Sequence, residues 1–224
     1  MNRLLNRLSI LALPGLLAAC GTSATSVAKY DPAPIPATTT FERTINKPSP
    51  AVWKAINTAL GKEASLKVTN RSVPTRTITL TFGSAAPQQY IDCGNSERTV
   101  THSRVGSTPK TYKYATAEPT TYMNVQRRDG SLWSIERKPE LTGTAKITLV
   151  PRGNTTIVRA SADYAFVVTV KATPVEPAGA ADERKSDPVK FTSAQPGSAG
   201  DDAFKTTCAT KGTFERKLLD LAGK

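Results

Sequence analysis

Residues 140–172, ELTGTAKITLVPRGNTTIVRASADYAFVVTVKA, restrict the fold more than any other part of the chain. On both sides of Pro151-Arg152-Gly153-Asn154 the residues alternate between apolar and polar. Side chains of a strand point to opposite faces in turn, so this alternation describes two strands that each bury one face. Gly153-Asn154 suits a turn with positive φ, and Ile147, Leu149, Ile157 and Val158 flank it closely. An antiparallel hairpin is therefore expected, and with it a sheet whose apolar face needs cover.

Other segments supply more strands and two helices. TTTFERTINKP (38–48) has Phe41 and Ile45 among β-favouring threonines and predicts a first strand. SPAVWKAINTALGKEA then predicts a helix over about residues 50–61, with Ser49 as N-cap and Pro50 at the first helical position, where its missing N–H costs nothing. Val52, Ile56 and Ala59, with Trp53 and Leu60, form its apolar stripe. SLKVTNRS and TRTITLTFG alternate as two further strands. Residues 88–95 and 189–197 each suggest a short strand, and in the less regular stretch from Asn95 to Gly130 YKYATAEPTTYMNVQRR suggests one strand or two, interrupted by Pro119. Near the end, Thr213 can cap a helix over about residues 213–222 with the stripe Phe214, Leu218, Leu221 and Leu219 alongside. The expected fold class is α+β: an antiparallel sheet with an early and a C-terminal helix on one face.

The first twenty-one residues, MNRLLNRLSILALPGLLAACG, are of a different kind. Arg3 and Arg7 form a basic start, Leu8 to Leu17 an apolar run, and Ala18-Ala19 a small-residue cleavage region, which is the layout of an export signal. The run is too short for a membrane span, which needs about 20 apolar residues. LAAC followed by Gly21 resembles the lipobox of bacterial lipoproteins. That resemblance implies cleavage after residue 19, a diacylglycerol on the Cys20 sulfur and an acylated amino terminus. Two or more acyl chains hold a membrane stably, at about 0.8 kcal/mol per buried methylene. Gly rather than Asp at position 21 implies the periplasmic face of the outer membrane.

Residues 20–40 are rich in Ser, Thr, Ala and Pro and nearly free of large apolar side chains, so they are expected to form a flexible tether about 25 Å in mean reach. Residues 41–224 are then enough for one α+β domain, with a mobile polar loop over about 174–188. With Cys20 assigned to lipid, Cys93 and Cys208 are left as a pair. In an oxidising compartment they should form a disulfide closing a loop of about 115 residues. No CxxC is present and His102 is the only histidine, so metal ligation is not expected and no cofactor is implied.

The strand–SPAVWKAINTAL helix–LKVTN…TITLTF order, with the closing helix, resembles the helix-grip modules of BamC-like outer-membrane lipoproteins. The resemblance covers residues 41–83 and 201–224. It implies an envelope setting and a helix-grip-like architecture, and it names no partner for this chain.

No catalytic constellation is evident: GxSxG, HExxH, GxxxxGK[ST] and the Rossmann glycine pattern are all absent. His102 lies in polar TVTHSRVG and is expected at the surface. Asp92 is expected to cap a turn at Gly94, and Asp163 to point out of the sheet. Net charge is +12, or +10 once Arg3 and Arg7 leave with the signal, which favours anionic lipid or polymer as a contact; an exported chain does not meet nucleic acid. The candidate contact surface is Arg127, Arg128, Arg137 and Lys138 around Trp133, because guanidinium forks suit phosphate and carboxylate and an exposed Trp anchors interfaces. Two readings follow: a non-catalytic lipid-anchored binding or scaffold module with an envelope protein partner or anionic surface, or a hydrolase acting on peptidoglycan or another cell-wall polymer.

Overall fold

The computed structural model describes residues 24–34, 40–106, 108–176, 179–200 and 205–223. In chain order the first elements are β1 (Thr25–Asp31), β2 (Phe41–Ile45), α1 (Ser49–Leu60), β3 (Leu66–Ser72), β4 (Thr77–Ser84), β5 (Ile91–Asp92), β6 (Asn95–Thr101) and β7 (Lys110–Ala115). There follow β8 (Thr120–Val125), β9 (Leu132–Arg152), β10 (Thr155–Pro174), β11 (Asp182–Lys185), β12 (Val189–Thr192), β13 (Gly197–Ala199), β14 (Thr206–Thr210) and α2 (Thr213–Gly223).

The expected hairpin is present and is the spine of the molecule. β9 and β10 pair without interruption from Thr155 opposite Arg152 to Pro174 opposite Trp133, a ribbon about 65 Å long. The two residues between them, Gly153 and Asn154, turn the chain with Gly153 at φ 60°, the geometry that glycine adopts freely. Both edges of the ribbon are occupied in sequence. On the β9 side lie β4 beside residues 141–148 and β8 beside residues 132–137. On the β10 side lie β2 beside 156–160, β12 beside 163–166 and β11 beside 169–172. β3 extends the sheet beyond β4. All these pairings are antiparallel, so the α+β class stands.

The helices cover one face of the turn-proximal half. Val52, Ile56 and Leu60 of α1 and Phe214, Leu218, Leu219 and Leu221 of α2 pack with Ile78, Leu80, Ile147, Leu149 and Val158 of the sheet. The stripe on α1 runs through Ser49, Val52, Ile56 and Leu60, while Ala59 and Trp53 lie at its margin. Gly143, in the middle of β9, has a packing reason. A Cβ there would come within 2.4 Å of the Asp163 carbonyl oxygen and 2.5 Å of the Phe82 ring, so only glycine lets that ring lie across the hairpin. Among the described residues no helix is long and apolar enough to cross a membrane.

Several expectations change in detail. Helix α1 begins one residue early: Pro48 is its cap, the Pro48 carbonyl accepts from Ala51 N and Val52 N, and Ser49 is buried with its hydroxyl unpaired among the described residues. In α2 the Thr213 hydroxyl donates to the Gln89 carbonyl instead of capping, and the Gly212 carbonyl accepts from Arg216 N. Within the expected tether, the described residues include a strand. Thr25–Asp31 pairs with β6 along its whole length, and β6 pairs with β7, giving a separate three-stranded sheet. Backbone pairing plus one anchor explains how so polar a segment is held: the Tyr30 hydroxyl donates toward the Cys93 and Thr207 carbonyls and accepts from Thr207 N. The loop expected over 174–188 likewise contains β11, paired to β10.

Cys93 and Cys208 are joined by a disulfide. It connects the residue just ahead of Gly94 and β6 to β14, which leads into α2, so it ties the three-stranded sheet to the helix-covered core.

Candidate functional site

Away from the helices, the three-stranded sheet packs against β8, and between it and the far half of the hairpin lies a cleft of about 370 Å³. Alternation decides what faces it. On β6, Ser96 and Arg98 point inward, opposite Tyr114 and Tyr112 of β7. On β9, Arg137 occupies a position in the inward series Trp133, Ile135, Arg137, Pro139, Leu141, where every other member is apolar. Phe166, Val168 and Val170 of β10 and Val189 of β12 give the cleft an apolar floor.

A Tyr–Arg cluster forms its wall. Tyr114 and Tyr122 stack with centroids 5.4 Å apart and planes 12° from parallel. The Arg137 guanidinium lies 4.9 Å from the Tyr114 ring centroid, and that of Arg98 lies 5.7 Å from the Tyr122 centroid. Arg137 is only 9% exposed. One of its nitrogens, Nη2, donates to the Thr116 carbonyl oxygen at 3.3 Å. Its Nη1, and Nε of Arg98, are buried without a hydrogen-bond partner among the described residues. Neither arginine has a carboxylate within 4.0 Å among those residues, although eight other ion pairs form at the surface, from Arg43–Asp220 to Lys217–Glu63. A cation–π contact contributes about 1 kcal/mol, up to about 2 when desolvated. Withdrawing a guanidinium from water costs several kcal/mol. The rings and the one carbonyl offset part of that cost, and the carboxylates that line the same cleft, Glu97 and Asp187, form no ion pair with either guanidinium. Burial, with Tyr122 next, pushes the Tyr114 phenol up to about 12, so that ring presents a neutral hydroxyl to any anion at neutral pH.

The cleft runs on along the hairpin. A neighbouring depression of about 610 Å³ shares Val170 and Ser186 with it and reaches Trp133. The five residues expected to form one basic and aromatic surface are thus divided. Trp133 and Arg137 face this continuous groove, with Trp133 half-buried and its indole N–H donating to Ser131 Oγ at 2.8 Å. Arg127 and Arg128 are exposed in the β8–β9 turn, which Asp129 holds by accepting from Ser131 N and Oγ. These two hydrogen bonds hold the Asp129 carboxyl below its usual pKa. Lys138 points away from the groove and pairs with Glu136 at 3.1 Å. Cys20 lies outside the described residues.

A second buried polar group escaped notice in the sequence. Glu215, in the first turn of α2, has 0% exposure. Its Oε1 accepts from Tyr164 Oη at 2.7 Å and from Ser193 Oγ at 2.6 Å, and Thr210 Oγ1 approaches Oε2 at 3.2 Å. Helix N-termini favour carboxylates, and three hydroxyl donors satisfy this one. Burial and Glu215 push the Tyr164 phenol far above its ordinary value. The group binds α2 to β10, β14 and the segment after β12. Its atoms are enclosed, which fits a structural tie.

Of the other candidates, Asp92 Oδ1 accepts from Gly94 N at 2.8 Å as a turn cap, and Asp163 is exposed on the open face of the sheet. His102 lies in the turn after β6 with Nδ1 accepting from Arg104 N. No group of three or more His, Cys, Asp or Glu able to hold a metal ion occurs among the described residues. No protein-family model, no curated protein and no solved structure matches the chain.

Proposed function

We propose that this is a lipid-anchored envelope lipoprotein, acting as a non-catalytic binding or scaffold module on the periplasmic face of the outer membrane. The observation that carries the reading is the joining of β1 to the disulfide-bonded core. Tyr30 hydrogen-bonds at Cys93 and Thr207, and Thr25 opens the strand. An acylated Cys20 would then stand five residues from a paired strand, at most about 18 Å of extended chain. A lipid there would hold the three-stranded sheet at the bilayer surface, not on a long leash. The end of the molecule where β1 begins supports this. Thr25 pairs with Thr101 beside the β6–β7 turn, and Ala24 lies against Gly130 in the β8–β9 turn. The β8–β9 turn carries the exposed Arg127 and Arg128, whose charge suits a phosphate-bearing surface. The groove supports a binding role, and the cover that α1 and α2 give one sheet face is in keeping with a helix-grip-like module.

Intact-mass analysis of the membrane-extracted protein tests the anchor. The expected product lacks residues 1–19 and carries acyl chains on Cys20, and Cys20→Ser should stall processing or release the protein. A bare thiol or an uncut leader would overturn the anchor, and degradation of purified cell wall by the pure protein would overturn the non-catalytic assignment.

A further inference from the structure

We infer that the cleft between the three-stranded sheet and the hairpin binds a small amphipathic anion, its carboxylate or phosphate taken by Arg98 and Arg137 and its apolar body laid on Phe166, Val168 and Val189. This rests on the binding-module reading above and gives it a ligand class. Three independent features converge on it. The two guanidiniums meet at one cleft and lack carboxylate partners among the described residues, and Arg137 is nine-tenths buried with an unpaired Nη1. Arginine is the side chain suited to oxyanions because its fork donates two parallel N–H bonds to two oxygens. Each guanidinium lies against one ring of the stacked tyrosine pair, and Arg137 Nη1 and Arg98 Nε have no hydrogen-bond partner among the described residues. The floor facing them is apolar, and a cleft of about 370 Å³ is at the small end of the range for organic ligands. An inorganic ion would leave that floor uncovered, and a neutral amphiphile would leave the charges unanswered.

Calorimetric titration of the full chain with octanoate, octyl phosphate, inorganic phosphate and octanol separates these possibilities. Octanoate or octyl phosphate should bind with one-to-one stoichiometry and more weakly in high salt, and whichever binds tighter identifies the headgroup. Arg98→Gln and Arg137→Gln should each weaken binding by about 10- to 100-fold, the worth of a charge-assisted hydrogen bond. Arg137→Lys keeps the charge and loses the fork, so it should fall between. Arg159→Gln, on the open sheet face, should bind as wild type does. Far-ultraviolet circular dichroism and melting of each variant show that it is folded, and the Arg98→Gln result carries the test alone if Arg137→Gln melts early. Equal binding of octanol, undiminished binding in folded Arg98→Gln, or binding of inorganic phosphate as tight as that of octyl phosphate would each overturn the inference. The same titration of Cys20→Ser keeps the two proposals apart: anion binding that survives while the anchor fails leaves the cleft assignment standing, and the converse leaves the anchor standing.

Discussion

From Leu141 to Val150 the β9–β10 hairpin is covered by two helices; from Leu132 to Glu140 its neighbours are β8 and the three-stranded sheet packed against β8. The same ribbon, with the same alternation, is finished in two ways. About thirty apolar side chains close into one cluster that fills the helix-covered half and runs on to the cleft floor at Phe166, Val168 and Val189, and Glu215, the charged group buried beside it under α2, meets three hydroxyls. Under the three-stranded sheet and β8 a second, separate buried cluster among the described residues consists of Val100, Val125 and Leu132, with Tyr112 and Met123 at its margin. Beside it two arginines line an open cleft. One half is built for stability. The other keeps Arg137 buried without a carboxylate partner among the described residues, which costs stability.

The bond between Cys93 and Cys208 links these halves, so removing it is the strongest way to set them against each other. Closing a loop of about 115 residues is worth about 4–5 kcal/mol in the chain-entropy model. Cys93→Ser with Cys208→Ser should cost up to that amount in urea unfolding. The loss should be uneven, with β6 and β7 amides gaining more in hydrogen-exchange rate than those of β4, which speed up only through the fall in global stability. Uniform acceleration would mean the halves unfold as one unit and the division is merely geometric.

Cavities sharpen the same contrast. Leu218 is fully buried in the larger cluster and Leu132 in the smaller one. Leu218→Ala should cost about 3–5 kcal/mol, and Leu132→Ala, at a site with room to collapse, about 2. Equal losses would show the far half to be as tightly packed as the core. Glu215 comes next. Glu215→Leu strands the Tyr164 and Ser193 hydroxyls and should cost about 2–3 kcal/mol, whereas Glu215→Gln keeps an acceptor and should cost about 1. Thermal melts of both variants check the order.

How far the sequence reveals each half follows from the same difference. Helix stripes and the TRTITLTF alternation announce the covered half, because burial against helices demands apolar residues at fixed intervals. β6 and β7 are built from Asn, Ser, Thr, Lys and Tyr, and they hold together chiefly by backbone pairing, which leaves little trace in side-chain hydropathy. β1 read as a tether for the same reason. The buried charges do leave a trace, though by position rather than by type. Arg137 interrupts the series Trp133, Ile135, Pro139, Leu141 at the inward register, and Glu215 stands three, four and seven residues before Leu218, Leu219 and Ala222 on the buried stripe of α2. Composition does not separate Arg137 from Lys138 in IERKPE or Glu215 from Arg216 in TFERKL; the period does. The pairing of Cys93 with Cys208 was legible because a lipidated Cys20 would leave only those two.

Two tyrosines, one in each half, give the finest comparison. Tyr164 donates to Glu215 inside the core, and burial, then that carboxylate, lift its pKa far above the ordinary value near 10. Tyr114 is lifted to about 12, by burial first and Tyr122 second, with Arg137 opposing. In both cases the folded state holds its proton more tightly than the unfolded chain does. Each contribution is therefore complete below pH 10, and the share from Tyr114 is lost as pH climbs through about 12, while that from Tyr164 falls away only as the protein unfolds. Phenolate absorbance in an alkaline titration should show one late ionisation that Tyr114→Phe removes, and another released only together with the far-ultraviolet transition. Were Tyr114 to ionise near pH 10, the cleft wall would be open to water, its arginines would be hydrated instead of poised, and the distinction between the two halves would lose its chemical meaning.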